Sequence, residues 1–171
     1  IALDPGFRTD HLITMSLDTS FTQYTPTQAH DFYRDLVDRA RALPGVRSVT
    51  LSDRIPLERG SGSRIPVIPE GHQFPQGQDS ASVSTAVVDH NYFDTMKTEI
   101  IRGRAFALDD NDRSRRVAIV NELFAATYWP NQNPIGKRLR LQSDQGTWLE
   151  VVDLRLIYSC ASVLSWPLIP T

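Results

Sequence analysis

The groups through which this chain could do chemistry are four histidines, one cysteine and a mixed set of 20 acidic and 18 basic side chains. His11, His30, His72 and His90 lie at no spacing that puts two of them, or one of them with Cys160, on a shared metal ion. Each reads as a surface or partly buried histidine. A single cysteine builds neither an internal disulfide nor a thiolate cluster, so it leaves the compartment open. Gly60-Ser61-Gly62-Ser63 has the composition of a phosphate loop, but such a loop follows a strand and opens a helix that begins with lysine. Here Arg64 leads into Ile65-Pro66, and the run reads as a flexible linker. Ser63 also lacks the Gly-x-Ser-x-Gly elbow of a serine nucleophile.

Two charged clusters remain. Asp109, Asp110 and Asp112, with Asn111 between them, lack the longer ligand series ending in glutamate that a calcium loop needs. Arg113, Arg115 and Arg116 follow at once, which makes this a solvated, self-neutralising loop. Lys137, Arg138 and Arg140 surround a strand pattern. Alternation puts Arg138 and Arg140 on one face and Leu139 and Leu141 on the other, the ordinary solvent face of a half-buried strand. No residue is therefore nominated as catalytic, cofactor-binding or metal-ligating. No cofactor is implied, and no residue is assigned to partner binding.

The elements that must carry these groups follow from periodicity. Ile13, Met15 and Leu17 alternate with Thr14 and Ser16, so residues 11–18 read as a half-buried strand. Thr25, Pro26 and Gln28 supply an N-cap, a first-turn proline and the third position of a capping box. Ala29, Phe32, Tyr33, Leu36, Val37, Ala40 and Leu43 then form one helical stripe, stopped by Pro44-Gly45. Residues 46–51 read as a second strand, which completes a βαβ unit with a right-handed crossover. Residues 54–82 are broken by proline and glycine. They allow one short edge strand at 65–68 and a mobile loop at 71–80. Further strands are expected at 82–88, within 99–106, and at 117–120, 136–141 and 148–152. Short helices should follow Asp89 and Asn121 as N-caps. Residues 156–170 show neither period nor caps, and they are too short and too proline-broken to span a bilayer.

With 171 residues and a net charge of −2, the chain can bury a core without staples and lacks the basic excess of a nucleic-acid binder. No apolar run reaches the ~18 residues of a membrane helix. Residues 1–10 carry no signal-peptide pattern. The chain, which starts at Ile1, reads as a soluble piece of something longer.

The order of several segments is more specific than any one of them. Asp4-Pro-Gly-Phe-Arg-Thr-Asp10 precedes the first strand. Phe32-Tyr-Arg-Asp-Leu36 leads to Ala42-Leu-Pro-Gly-Val46 and Val49-Thr-Leu-Ser52. Tyr92-Phe93-Asp94-Thr95-Met96 precedes Ile101-Arg-Gly-Arg-Ala-Phe106. Val117-Ala-Ile-Val-Asn-Glu122 precedes Tyr128-Trp-Pro130, Asn133-Pro-Ile-Gly-Lys-Arg-Leu139 and Leu149-Glu-Val-Val152. Over residues 3–152 this order resembles the periplasmic core domain of MacB/FtsX-type ABC transporter permeases, and it is especially similar to the duplicated permeases common in acidobacteria.

The resemblance implies an α+β fold with mixed sheets: a porter-like βαβ subdomain over residues 1–55 and a β-rich, Sabre-like subdomain over 56–152 that returns to the porter-like part near its end. Residues 153–171 depart from the family pattern as an atypical tail. The resemblance further implies a non-catalytic extracytoplasmic domain of a bacterial membrane transporter. A cytoplasmic ATPase domain would act on it through membrane helices. A second permease subunit or half and a periplasmic adaptor would be its neighbours, with no nucleic acid involved. It leaves the cargo unnamed. The competing reading is a free-standing small α/β enzyme or ligand-binding module, with residues 54–82 lining a pocket.

Overall fold

The computed structural model describes residues 8–17, 22–54, 64–110, 116–141 and 148–155, together with the backbone of residues 162–166. Its first element is helix α1, Pro26–Arg41. The capping box forms as the sequence requires: the Gln28 amide donates to the Thr25 hydroxyl at 3.3 Å, and the Thr25 amide donates to the Gln28 side chain at 2.9 Å. Arg39 and Arg41 occupy the last turn, where cations oppose the negative end of the helix dipole. Gly45, at φ +86°, then makes the left-handed turn that Pro44 precedes.

The remaining elements are β1 (Arg64–Pro69), β2 (Ala81–Val87), α2 (Tyr92–Met96), β3 (Ile100–Gly103), β4 (Val117–Asn121), α3 (Glu122–Tyr128), β5 (Arg138–Leu141), β6 (Trp148–Arg155) and β7 (Ser162–Trp166). The strands form one seven-stranded sheet in the order β3-β6-β4-β7-β2-β1-β5, and β5 also pairs with β6. That last pairing closes β6, β4, β7, β2, β1 and β5 into a ring, a small barrel flanked by β3. Pairs β2–β7 and β4–β6 are parallel and the others antiparallel. The fold class is thus α+β with a mixed sheet.

Alternation sorts the side chains of β4 onto two cores. Ala118 and Val120 face a cluster with Val67, Val83, Leu139, Leu149, Val151, Phe124 and Trp129. Val117 and Ile119 face a second cluster with Val88, Phe93, Met96, Phe106 and Val152. All five β4 residues are buried, which is why Val117-Ala-Ile-Val120 reads as a continuous apolar run. Asn121 ends the strand and caps α3, accepting from the Phe124 amide at 2.9 Å. Gly103, at φ +110°, lies so close to β6 that a Cβ there would come within 2.2 Å of the Val152 carbonyl oxygen. Only glycine fits that approach.

Several sequence expectations are corrected. Strand β1 is longer than residues 65–68 and is not an edge. Residues 64–67 pair with β2 and residues 67–69 with β5. Pro66 and Pro69 each fall where only one neighbour is paired, so neither removes a bond from a two-sided ladder. No strand forms at 11–17 or at 46–51 among the described residues; a single bridge, Ser52↔Val88, stands near the second. Residue 18 lies outside the described residues. Alternation reports which side chains are apolar but not whether a neighbouring strand is present to pair with. Strand β6 runs on through Asp153, Leu154 and Arg155, past the expected end at Val152. Residues 162–166, which lacked any periodic signal, form a strand in the middle of the sheet.

Candidate functional site

Helix α1 has no fully buried residue. Its stripe of Ala29, Phe32, Tyr33, Leu36, Val37 and Ala40 is largely covered but nowhere fully buried, and Leu43 after the helix and Ile13 and Met15 before it are 59%, 97% and 68% exposed. The helix therefore carries an amphipathic face that is packed less tightly than the barrel core. This part of the chain is held to the barrel by Leu12, which packs against the second core cluster, and by a set of polar contacts.

The polar attachment is centred on Asp89, 6% exposed, at the end of β2. The Leu51 amide donates to its carboxylate at 3.1 Å, the Thr50 hydroxyl donates to the same group, and the Asn91 amide donates at 3.1 Å. The Asp89 amide in turn donates to the Leu51 carbonyl at 3.0 Å. Two residues on, the Val87 amide donates to the Asp53 carboxylate at 2.8 Å and the Asp53 amide to the Val87 carbonyl at 3.0 Å. The Ser48 and Thr95 hydroxyls meet at 2.5 Å and tie the same segment to α2. Within 48–53 the Leu51 amide is thus satisfied by a side chain, while the Asp53 amide and the Leu51 carbonyl pair with the backbone of Val87 and Asp89.

Burial pushes the Asp89 carboxyl up, against the Thr50 and Leu51 hydrogen bonds, and it pushes Asp53 up against the bond from Val87. Beneath them Tyr92 is pushed up to about 12, by burial first and then by the Asp53 charge. These are carboxylates used to hold main chain. Asp89, the N-cap of α2 expected from the sequence, is not at the cap position, which is Asn91, without a side-chain bond; Asp89 reaches the Asn91 amide from two residues back. The available signal was an aspartate closing a β-branched run just before a helix. It specified a bond to a nearby amide but not the partner at residues 50–51.

The other candidate groups are dispersed. His11 pairs with its neighbour Asp10 at 2.8 Å, and His30 lies 3.6 Å from Asp31. His72 packs edge-on against Phe74 and Tyr128, so the loop expected to be mobile at 71–80 contributes to packing. His90 follows Asp89 in the joint. Among the described residues no three of His, Cys, Asp and Glu gather as a metal site. Residues 60–63, 111–115 and 160 lie outside the described residues. Asp110 is not solvated: it is 7% exposed and receives the Arg104 guanidinium at 2.6 and 2.7 Å and the Ala107 amide at 2.8 Å. Burial pushes its carboxyl up, but those hydrogen bonds outweigh burial and hold it below the usual value. Lys137 stands 6.0 Å over Trp129, and Arg138 and Arg140 share the outer face of β5 as expected, stacked on Trp148.

The profile of the MacB-like periplasmic core domain matches residues 5–157. The chain belongs to this family. Two solved structures share the fold of the periplasmic core domain. The periplasmic region of MacB from Actinobacillus actinomycetemcomitans aligns with a TM-score of 0.57 and 19% identity, over 77% of this chain and 53% of that one. The extracellular domain of the noncanonic ABC-type transporter YknZ from Gram-positive bacteria aligns with a TM-score of 0.54 and 15% identity, over 77% of this chain and 60% of that one. The chain thus spans between about half and three-fifths of the length of these two chains. No curated protein matches it. Family membership makes the chain an extracytoplasmic domain of an ABC-type transporter permease. Among the described residues no helix is long and apolar enough to cross a membrane.

Proposed function

We propose that this periplasmic core domain is a non-catalytic transmission element. ATP-driven motion of a cytoplasmic ATPase domain reaches it through membrane helices, and it passes that motion to the export or extraction of a substrate outside the membrane. The chain divides, in this reading, into a porter-like part over residues 1–55, a Sabre-like part over 56–152 and a tail. A second permease half, and a periplasmic adaptor, would face α1. The observation that carries the reading is the contrast between the helix and the barrel. An apolar helix face with no buried residue is fixed through the polar joint at Asp89 to a closed, well-filled barrel. A push on the helix would be passed to the barrel as a rigid body through that joint.

Asp89→Ala in the parent transporter tests this. The variant removes an acceptor shared by three donors, worth about 1.5–3 kcal/mol for a charged partner. ATP hydrolysis should persist while substrate moved per ATP falls severalfold. Equal losses of hydrolysis and transport, or no loss of either, would count against transmission through the joint.

A further inference from the structure

The outer face of the β5–β6 ladder carries an arginine whose guanidinium makes no hydrogen bond among the described residues. In the antiparallel register Arg138 faces Glu150 and Arg140 faces Trp148, while Leu139 and Leu149 turn inward. Both guanidinium groups lie over the one indole ring, at 5.3 and 5.5 Å from its centroid. Two cations on one ring repel each other, and an anion beside each relieves that cost. Arg138 has its anion: Glu70 accepts from its guanidinium at 2.6 and 3.2 Å and from its amide at 3.1 Å. Arg140 has none. Among the described residues its side chain makes no hydrogen bond and no ion pair and stacks on the ring of Trp148, itself 38% exposed.

We propose that Arg140 and Trp148 form a docking site for an acidic segment of a partner polypeptide, with one carboxylate bidentate on Arg140 and an adjoining apolar side chain on the indole. Stacking fixes the guanidinium plane and leaves its donor edge free, the arrangement that suits planar recognition of a carboxylate. Arginine and tryptophan are also the residues most enriched where interfaces concentrate their energy. The apolar neighbour distinguishes a polypeptide from a bare anion, because the ring offers surface that phosphate does not use.

The test is titration of the chain with an acetylated Glu-Leu-Glu-Leu-Glu peptide, followed through the Trp148 indole N–H resonance. A saturable shift is expected, about tenfold weaker in Arg140→Gln and unchanged in Arg39→Gln on the distant α1 helix. Glu70→Gln frees the second guanidinium and should tighten binding. Absence of saturation, or equal binding by Arg140→Gln, overturns the proposal. Inorganic phosphate or phosphatidylglycerol vesicles giving the same shift as the peptide would also overturn it, by reassigning the site to a bare phosphate or a lipid headgroup.

Discussion

Replacing Arg155 with methionine should destabilise the domain by about 3–5 kcal/mol, because it strands a buried carboxylate. Arg155 is 1% and Asp153 0% exposed, and they meet at 2.5 Å. The guanidinium also covers the Phe93 ring at 4.1 Å and donates to the Thr98 carbonyl at 2.9 Å, so it pins the turn between α2 and β3 to β6. The pair is incompletely satisfied: both Asp153 oxygens and Arg155 Nε and Nη2 lack a hydrogen bond of good geometry. Such a pair costs much to break and little to remove whole. The double variant Asp153→Leu/Arg155→Met should therefore be neutral or more stable than the parent by about 1–4 kcal/mol. Urea unfolding of the three proteins measures both effects. A double variant as unstable as the single one would mean that the pair itself contributes net stability.

The pH dependence has a definite sign. Burial pushes the Asp153 carboxyl up to about 6, against the opposing charge of Arg155, from 3.8. The folded state binds the proton more tightly than the unfolded one. This group's contribution is therefore fully present below about pH 4 and is lost as pH rises through 6. In Arg155→Met the opposing charge is gone and the carboxyl rises further. That variant should regain part of its lost stability at pH 5.

Phe124→Ala should cost about 3–5 kcal/mol by opening a cavity against the barrel interior. Phe124 is fully buried on α3, with ring centroids 4.7 Å from Tyr128 and 5.5 Å from Trp129. Trp129 is itself held by its indole N–H donating to the Glu70 carbonyl at 2.9 Å. That anchorage limits how far α3 can collapse into the gap, which keeps the cost high. Thermal or urea unfolding reads it directly. A loss under about 1 kcal/mol would mean that the site repacks.

The elements whose signals are local were legible in the sequence. The capping box at Thr25, the cap at Asn121, the apolar run at 117–120 and the alternation of Arg138, Leu139 and Arg140 each depend on neighbours a few residues away. What depended on distant partners was not. The closure of the barrel rests on the pairing of β5 with both β1 and β6, and no spacing in the chain encodes it. Strand β7 carries no alternation, and its place between β4 and β2 depends on pairing with residues far away in sequence. Ile13, Met15 and Leu17 carry a strand pattern with no strand beside them among the described residues. The joint at Asp89 joins residues 38–39 positions apart, so only the aspartate was visible and not its role.

Force transmission through that joint has a direct test in the parent transporter carrying Asp89→Ala. Ser48→Cys and Thr95→Cys replace two hydroxyls that already touch at 2.5 Å, so oxidation can supply a covalent tie where the polar one was removed. The quantity to measure is substrate moved per ATP hydrolysed, before and after oxidation. Restored coupling on oxidation, reversed by reductant, is the expected result. A ratio indifferent to the disulfide, or an Asp89→Ala transporter already coupled as well as its parent, would contradict transmission of motion through this domain.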